Sequence, residues 1–169
     1  MTFLRTTASL FLLATGLLAE SAGGISWTAP SAWKSQGERP MRAATYMVPP
    51  AAGDSEPGEC AVFYFGPGQG GGVDANIKRW LGQFKDPPAN PAPKSRTANG
   101  LKLTTIEHMG TYMAGAPMAP VKTPKPGYRL IGTIIEAPQG NVFFKLTGPA
   151  KTVAAAQAGF EKMLAGVKK

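Results

Sequence analysis

The chain has 169 residues, 43% of them hydrophobic and 17% charged, with a formal net charge of +8. This length suits one domain around one core, and this composition excludes a disordered chain. One histidine and one cysteine allow no intramolecular disulfide and no C-x-x-C or H-x-x-x-H ligand pair, so no metal and no cofactor is expected.

Residues 1–22 read as a signal peptide. Arg5 precedes the uncharged apolar run Ala8 to Ala19, and the small residues Ser21, Ala22 and Gly23 follow, placing the cut near Ala22. The run falls short of the roughly 20 apolar residues of a spanning helix, so no transmembrane span is expected in the mature form. The chain is therefore expected to be secreted or periplasmic. The positive charge suits an envelope protein or an anionic envelope component as partner, while the even spread of Lys and Arg also fits plain solubility.

Residues 23–40 predict an extended N-terminal segment in which Trp27 and Trp33, on either side of Pro30, anchor to the core. A single α+β domain is expected over 41–169. Residues 41–48 alternate as a half-buried strand stopped by Pro49 and Pro50. CAVFYF, residues 60–65, is apolar on both faces and predicts a central strand with Cys60 as a buried free thiol. After GPGQGGG, residues 66–72, the residues Val73, Ile77, Trp80, Leu81 and Phe84 form one apolar helical stripe.

Residues 86–100 form a proline-rich loop ending in the turn pair Asn99-Gly100. LKLTTIEHMGTYM predicts a strand bent or bulged near Gly110, and residues 114–127 form a second proline-rich loop. YRLIGTIIEA and NVFFKLTG predict a hairpin turning at Pro138 to Gly140. A final helix after Gly148 and Pro149 carries Val153, Ala156, Phe160, Leu164 and Val167 on one face. Two amphipathic helices and about five to six strands in mostly hairpin-like succession predict an antiparallel sheet with helices packed on it.

The candidate chemistry is sparse. Gly66, Gly68 and Gly71 satisfy G-x-G-x-x-G between a strand and a helix, but the βαβ units of a dinucleotide domain are missing. The glycines serve a tight turn or, through amides at a helix start, a small anion. On the second reading the binding residues are Gly68, Gln69, Gly70, Gly71, Asp74 and Arg79. The flexible loops around Arg96 and Lys122 to Lys125 are further candidate contacts. The alternative function is a secreted hydrolase that uses Glu107, His108 or Glu136 in a cleft covered by the long loops. Strand-surface packing of His108 and salt bridges or solvation of the glutamates are the plain alternatives. The aromatic residues lie in core-like patterns, so no nucleic-acid partner is expected.

Two segments, VFYFGPGQGGGVDANIKRWLGQF and IIEAPQGNVFFKLTGPAKTVAAAQAGFEKML, together resemble small exported bacterial proteins of uncharacterised function. They are also similar to the PsbP-like superfamily, with Phe144 to Gly148 giving the F-x-x-x-G strand-to-helix pattern. The resemblance spans roughly residues 40 to 167. It implies a PsbP-like α/β/α sandwich in a group largely of non-enzymatic binding or assembly-accessory domains, and it brings no catalytic residue and no metal site.

Overall fold

The computed structural model describes residues 19–37, 39–115 and 120–169. The apolar run read as a signal peptide therefore lies, but for Ala19, outside the described residues, as does part of the second proline-rich loop. The strands are β1 (Glu20–Ala22), β2 (Ile25–Trp27), β3 (Lys34–Ser35), β4 (Ala44–Val48), β5 (Gly58–Phe63), β6 (Lys94–Ala98), β7 (Leu101–Ala114), β8 (Thr123–Ala137) and β9 (Gly140–Pro149). The helices are α1 (Val73–Leu81) and α2 (Ala150–Ala165). Strands β3-β4-β5-β9-β8-β7-β6, in that order, make a seven-stranded sheet, antiparallel at every pairing, and β1-β2 make a separate hairpin. This is the α+β architecture expected, with one or two strands more in the main sheet than the five to six read from sequence.

The differences have local causes. Strand β6 lies inside the proline-rich 86–100 stretch, where KSRTA shows no hydrophobic alternation because it is an exposed edge. Asn99 and Gly100, with φ of 49° and 72°, make the two-residue turn that folds it onto β7. β8 begins at Thr123, inside the expected 114–127 loop, and pairs with β7 through Ala114 despite Pro124 and Pro126. The N-terminal segment is not simply extended. It turns at Gly23 and Gly24, both at positive φ, so β1 pairs with β2. A cut near Ala22 would remove β1, whose Glu20 carboxylate accepts a hydrogen bond from the Tyr46 hydroxyl.

Side-chain alternation along the strands divides the core in two. One face of the sheet, with Val62, Phe144, Leu146, Ile131 and Leu103, packs under α2, where Val153, Phe160 and Leu164 are buried. Trp27 seals this side: its ring meets Phe144 edge-on at 5.2 Å, and its Nε1 donates to Tyr46 Oη at 2.9 Å. The opposite face carries Ile106, Leu130, Ile134 and Phe143, covered by Ile77, Trp80, Leu81 and Phe84 from α1 and the residues after it. Both predicted helical stripes are thus buried stripes. Burying an aromatic or aliphatic side chain of this kind stabilises by about 1.5–3 kcal/mol.

Neither helix starts with a side-chain cap of its own. For α2 the cap comes from a distant loop. Asp54 Oδ2 accepts from Thr152 N at 2.9 Å and Thr152 Oγ1 at 2.7 Å, which satisfies a donor orphaned at the helix start.

Candidate functional site

The two helices differ in reach, and the difference opens a cleft. At 1.5 Å per residue the nine residues of α1 span about 14 Å, while the ten residues of β9 extend over about 33 Å. On that face α1 covers Phe143, which Trp80 meets edge-on at 6.5 Å. The next two residues on the same face of β9 are Lys145 and Thr147, and both line a cleft of about 280 Å³. Thr45, Met47, Glu59, Tyr112 and Tyr128 complete its floor and walls.

The chain after α1 shapes one end of this cleft. Gln83 and Lys85 bridge to the bulged end of β7, with Lys85 N donating to Thr111 O at 2.9 Å and Met113 N to Gln83 O at 2.8 Å. The bulge between Gly110 and Tyr112, where the register with β8 shifts, turns the Tyr112 ring toward this segment. Gln83 Oε1 and Tyr112 Oη then both accept from Lys145 Nζ, at 2.6 and 2.9 Å. The ammonium also lies over the Tyr112 ring, 5.2 Å from its centre. Tyr112 stacks on Tyr128 with centres 6.0 Å apart and planes within 10°.

The electrostatics of the cleft are unusual for a sheet surface. Burial pulls the Lys145 ammonium down from its ordinary range to about 8, with Arg42 and Arg79 adding to the fall and Glu59 opposing it. Burial likewise pushes the Tyr112 hydroxyl up to about 12. Glu59 is paired with Arg42 at 3.0 Å. Among the described residues, no carboxylate forms an ion pair with Lys145. Thr147 Oγ1 is buried in the same cleft with no hydrogen-bond partner. At the rim, Lys125 and Tyr128 hold Glu56 below its ordinary carboxylate value.

Of the residues singled out in the sequence, Lys125 stands at the rim of this cleft through Glu56, and none of them lines it. The glycine loop is at the other end of β5 and of α1 and is wired as a turn. Gly66, Gly68, Gly70 and Gly71 all have positive φ, and a Cβ on Gly70 would stand 2.7 Å from Phe65 and 2.8 Å from Phe143. Asn76, fully buried, donates from Nδ2 to Gly70 O and Gly72 O at 2.8 Å each, and Arg79 donates to Asn76 Oδ1. Gln69 bonds back to Gly66 through its own N–H at 3.1 Å, and Asp74 sits in the first turn of α1. Of the loop candidates, Arg96 pairs with Glu161 at 2.9 Å and Lys125 with Glu56 at 2.7 Å.

Glu107, His108 and Glu136 do not converge. Glu107 and His108 are adjacent in β7 and point to opposite faces. Glu136 is opposite Lys102, five positions along β7 from Glu107 and about 17 Å away. Glu107 pairs with Arg129, Glu136 with Lys102, and His108 packs edge-on against Phe84 at 4.7 Å. Cys60 is fully buried, and burial pushes its thiol far above the range in which it would ionise. Among the described residues no group of three or more His, Cys, Asp or Glu could hold a metal ion.

An antiparallel sheet clasped between α1 and α2 is the PsbP-like α+β fold, and this chain has it. The solution structure of cyanobacterial PsbP (CyanoP) from Synechocystis sp. PCC 6803 is similar over 95% of this chain and 96% of that one, with a TM-score of 0.55 and 11% sequence identity. No protein-family model matches the chain, and no curated protein does. At that identity the likeness concerns the fold, and function must be argued from the cleft.

Proposed function

We propose that this protein is an exported, non-catalytic accessory domain of the bacterial cell envelope that binds its partner through the Lys145 cleft. The observation that carries this reading is the half-covered sheet face, where a partly buried ammonium and an unpartnered hydroxyl line one recess. A buried lysine without a carboxylate costs stability, and proteins keep such groups where binding uses them. The cleft is favoured over Gly68 to Gly71, Asp74 and Arg79, because Asn76 ties that loop down as a turn and Arg79, its one cationic candidate, is already held on Asn76 Oδ1. The hydrolase reading is less favoured, because Glu107 and Glu136 are each paired with a basic side chain and His108 packs on Phe84 away from both. Export rests on the signal-peptide pattern of residues 1–22. Among the described residues no helix is long and apolar enough to cross a membrane.

The test is co-sedimentation of the purified protein with washed cell envelopes. The proposal expects retention that Lys145→Met abolishes. Absence of retention contradicts it. Retention that falls steeply with added salt, equally in wild type and Lys145→Met, would assign binding to the net charge of +8 instead.

A further inference from the structure

The cleft also identifies the chemistry of its occupant, an inference that rests on the binding reading above. An ammonium has three N–H donors, and Lys145 directs two of them to neutral oxygens, Gln83 Oε1 and Tyr112 Oη. Thr147, two residues on along the same face of β9, has its Cβ about 6.8 Å away by strand geometry. Its buried hydroxyl has no partner. A charged donor and a hydroxyl on one wall are matched by a group that presents two oxygens.

Charge decides between candidate anions. Glu59 lines the same cleft but is neutralised by Arg42 at 3.0 Å, which leaves the Lys145 ammonium as the one unpaired charge inside the recess, so the second negative charge of a dianionic phosphate would go unmatched there. A monoanion is balanced by Lys145 alone, with Arg39 at the rim adding attraction. Beside the polar Gln36 and Thr45, the lining has an apolar and aromatic part made of Met47, Pro57 and the stacked rings of Tyr112 and Tyr128. They suit a flat hydrocarbon body.

We infer that Lys145 and Thr147 together hold the carboxylate of a small organic monoanion, with its apolar part against the Tyr112–Tyr128 wall. A free organic acid and an acidic side chain of a partner protein share this chemistry. The charged and titratable groups around Lys145 are Arg79 on α1, Arg39 at the rim, Glu59 on β5 with its partner Arg42, Tyr112 on β7, and Tyr128 on β8 with its partner Glu56. The Tyr112 hydroxyl is pushed up to about 12, so Lys145, at about 8, loses its proton first. Carboxylate affinity is therefore level between about pH 5, above the ligand's own carboxyl pKa of about 4, and about pH 8, and it weakens by about tenfold per pH unit above that, until the proton is lost from the complex as well.

The experiment titrates the full chain with sodium benzoate, inorganic phosphate and a capped peptide bearing one glutamate. Binding is followed by amide NMR shifts and calorimetry. The inference expects benzoate or the peptide to shift the amides of Lys145, Thr147 and Tyr112. Lys145→Met should weaken binding by at least about tenfold, the loss expected for one charge-assisted hydrogen bond. Thr147→Val should weaken it by about two- to tenfold. It removes only an orphan hydroxyl, so it carries the test if Lys145→Met does not fold. Tighter binding of the peptide assigns the carboxylate to a partner protein, and tighter binding of benzoate assigns it to a free acid. Phosphate binding tighter than both, no response to either carboxylate, or undiminished binding by both variants overturns the inference. Envelope retention without carboxylate binding would leave the accessory role standing and remove this inference alone. Carboxylate binding without retention would do the reverse.

Discussion

Gly132 gives the sharpest handle on how α1 sits on the sheet. It lies mid-strand in β8, where a Cβ would fall 2.3 Å from both Cε3 and Cζ3 of Trp80. Carbon atoms pack best at about 3.5–4.0 Å, so Gly132→Ala requires a separation of more than 1 Å between helix and sheet. The helix cannot lift freely. Asn76 ties its start to the glycine loop, and the Gln83–Lys85 segment ties its end to β7. Trp80 is 4% exposed and wedged against Phe143, so its ring cannot swing aside without opening a cavity. Overpacking of this kind costs about 1–3 kcal/mol, and more where the neighbours are held on both sides. For a domain of this size, each kcal/mol lowers Tm by roughly 2–4 °C. Urea unfolding followed by circular dichroism measures the loss directly. Trp80→Leu makes room for the methyl group, so Gly132→Ala should cost less in that background than alone, a coupling that a double-mutant cycle detects. A change within about 0.5 kcal/mol for Gly132→Ala alone would refute the packing of α1 through Trp80 on this face.

Two other perturbations follow from single contacts. Asp54→Ala removes the side chain that caps α2 from outside and should destabilise the fold by about 0.5–2 kcal/mol, read by the same unfolding assay. Lys145→Met should make the domain more stable at pH 7, because it removes a buried ammonium while keeping the side-chain volume. The folded chain binds this proton less tightly than the unfolded chain does. Wild-type stability should therefore rise with pH between about 8, the folded value, and 10.5, the ordinary one, and Lys145→Met should lack that rise. Parallel stability–pH profiles for the two proteins would refute the depressed lysine.

Much of the fold can be read from hydrophobic period. The stripe from Val73 to Phe84 and the stripe from Val153 to Val167 are the buried faces of α1 and α2. The bulge near Gly110 and the turn at Pro138-Gln139 are where glycine and proline put them. What hydrophobicity does not mark is an edge: KSRTA carries no apolar residue except Ala98, so β6 reads as loop until its register with β7 is known. Gly132 is a signal that could have been used, since a glycine inside an apolar strand marks a close approach.

The cleft was harder to see. Its residues come from β4, β5, β7, β8 and β9, and only the register brings Lys145 of β9 near Tyr112 of β7. One local sign was available: in NVFFKLTG, Lys145 is the single charge within the most central strand of the sheet. The glycine loop matches G-x-G-x-x-G only in its letters. Its glycines answer instead to positive φ and to the proximity of Phe65 and Phe143.

The most direct measurement of the central claim is site-specific photo-crosslinking in intact cells, with the crosslinker at Met47 in the cleft or at Ala158 on the exposed side of α2. The account predicts a discrete adduct with an envelope component from position 47 and none from position 158. Lys145→Met should abolish that adduct. An adduct from position 158 alone, or one from position 47 that Lys145→Met leaves untouched, would contradict it.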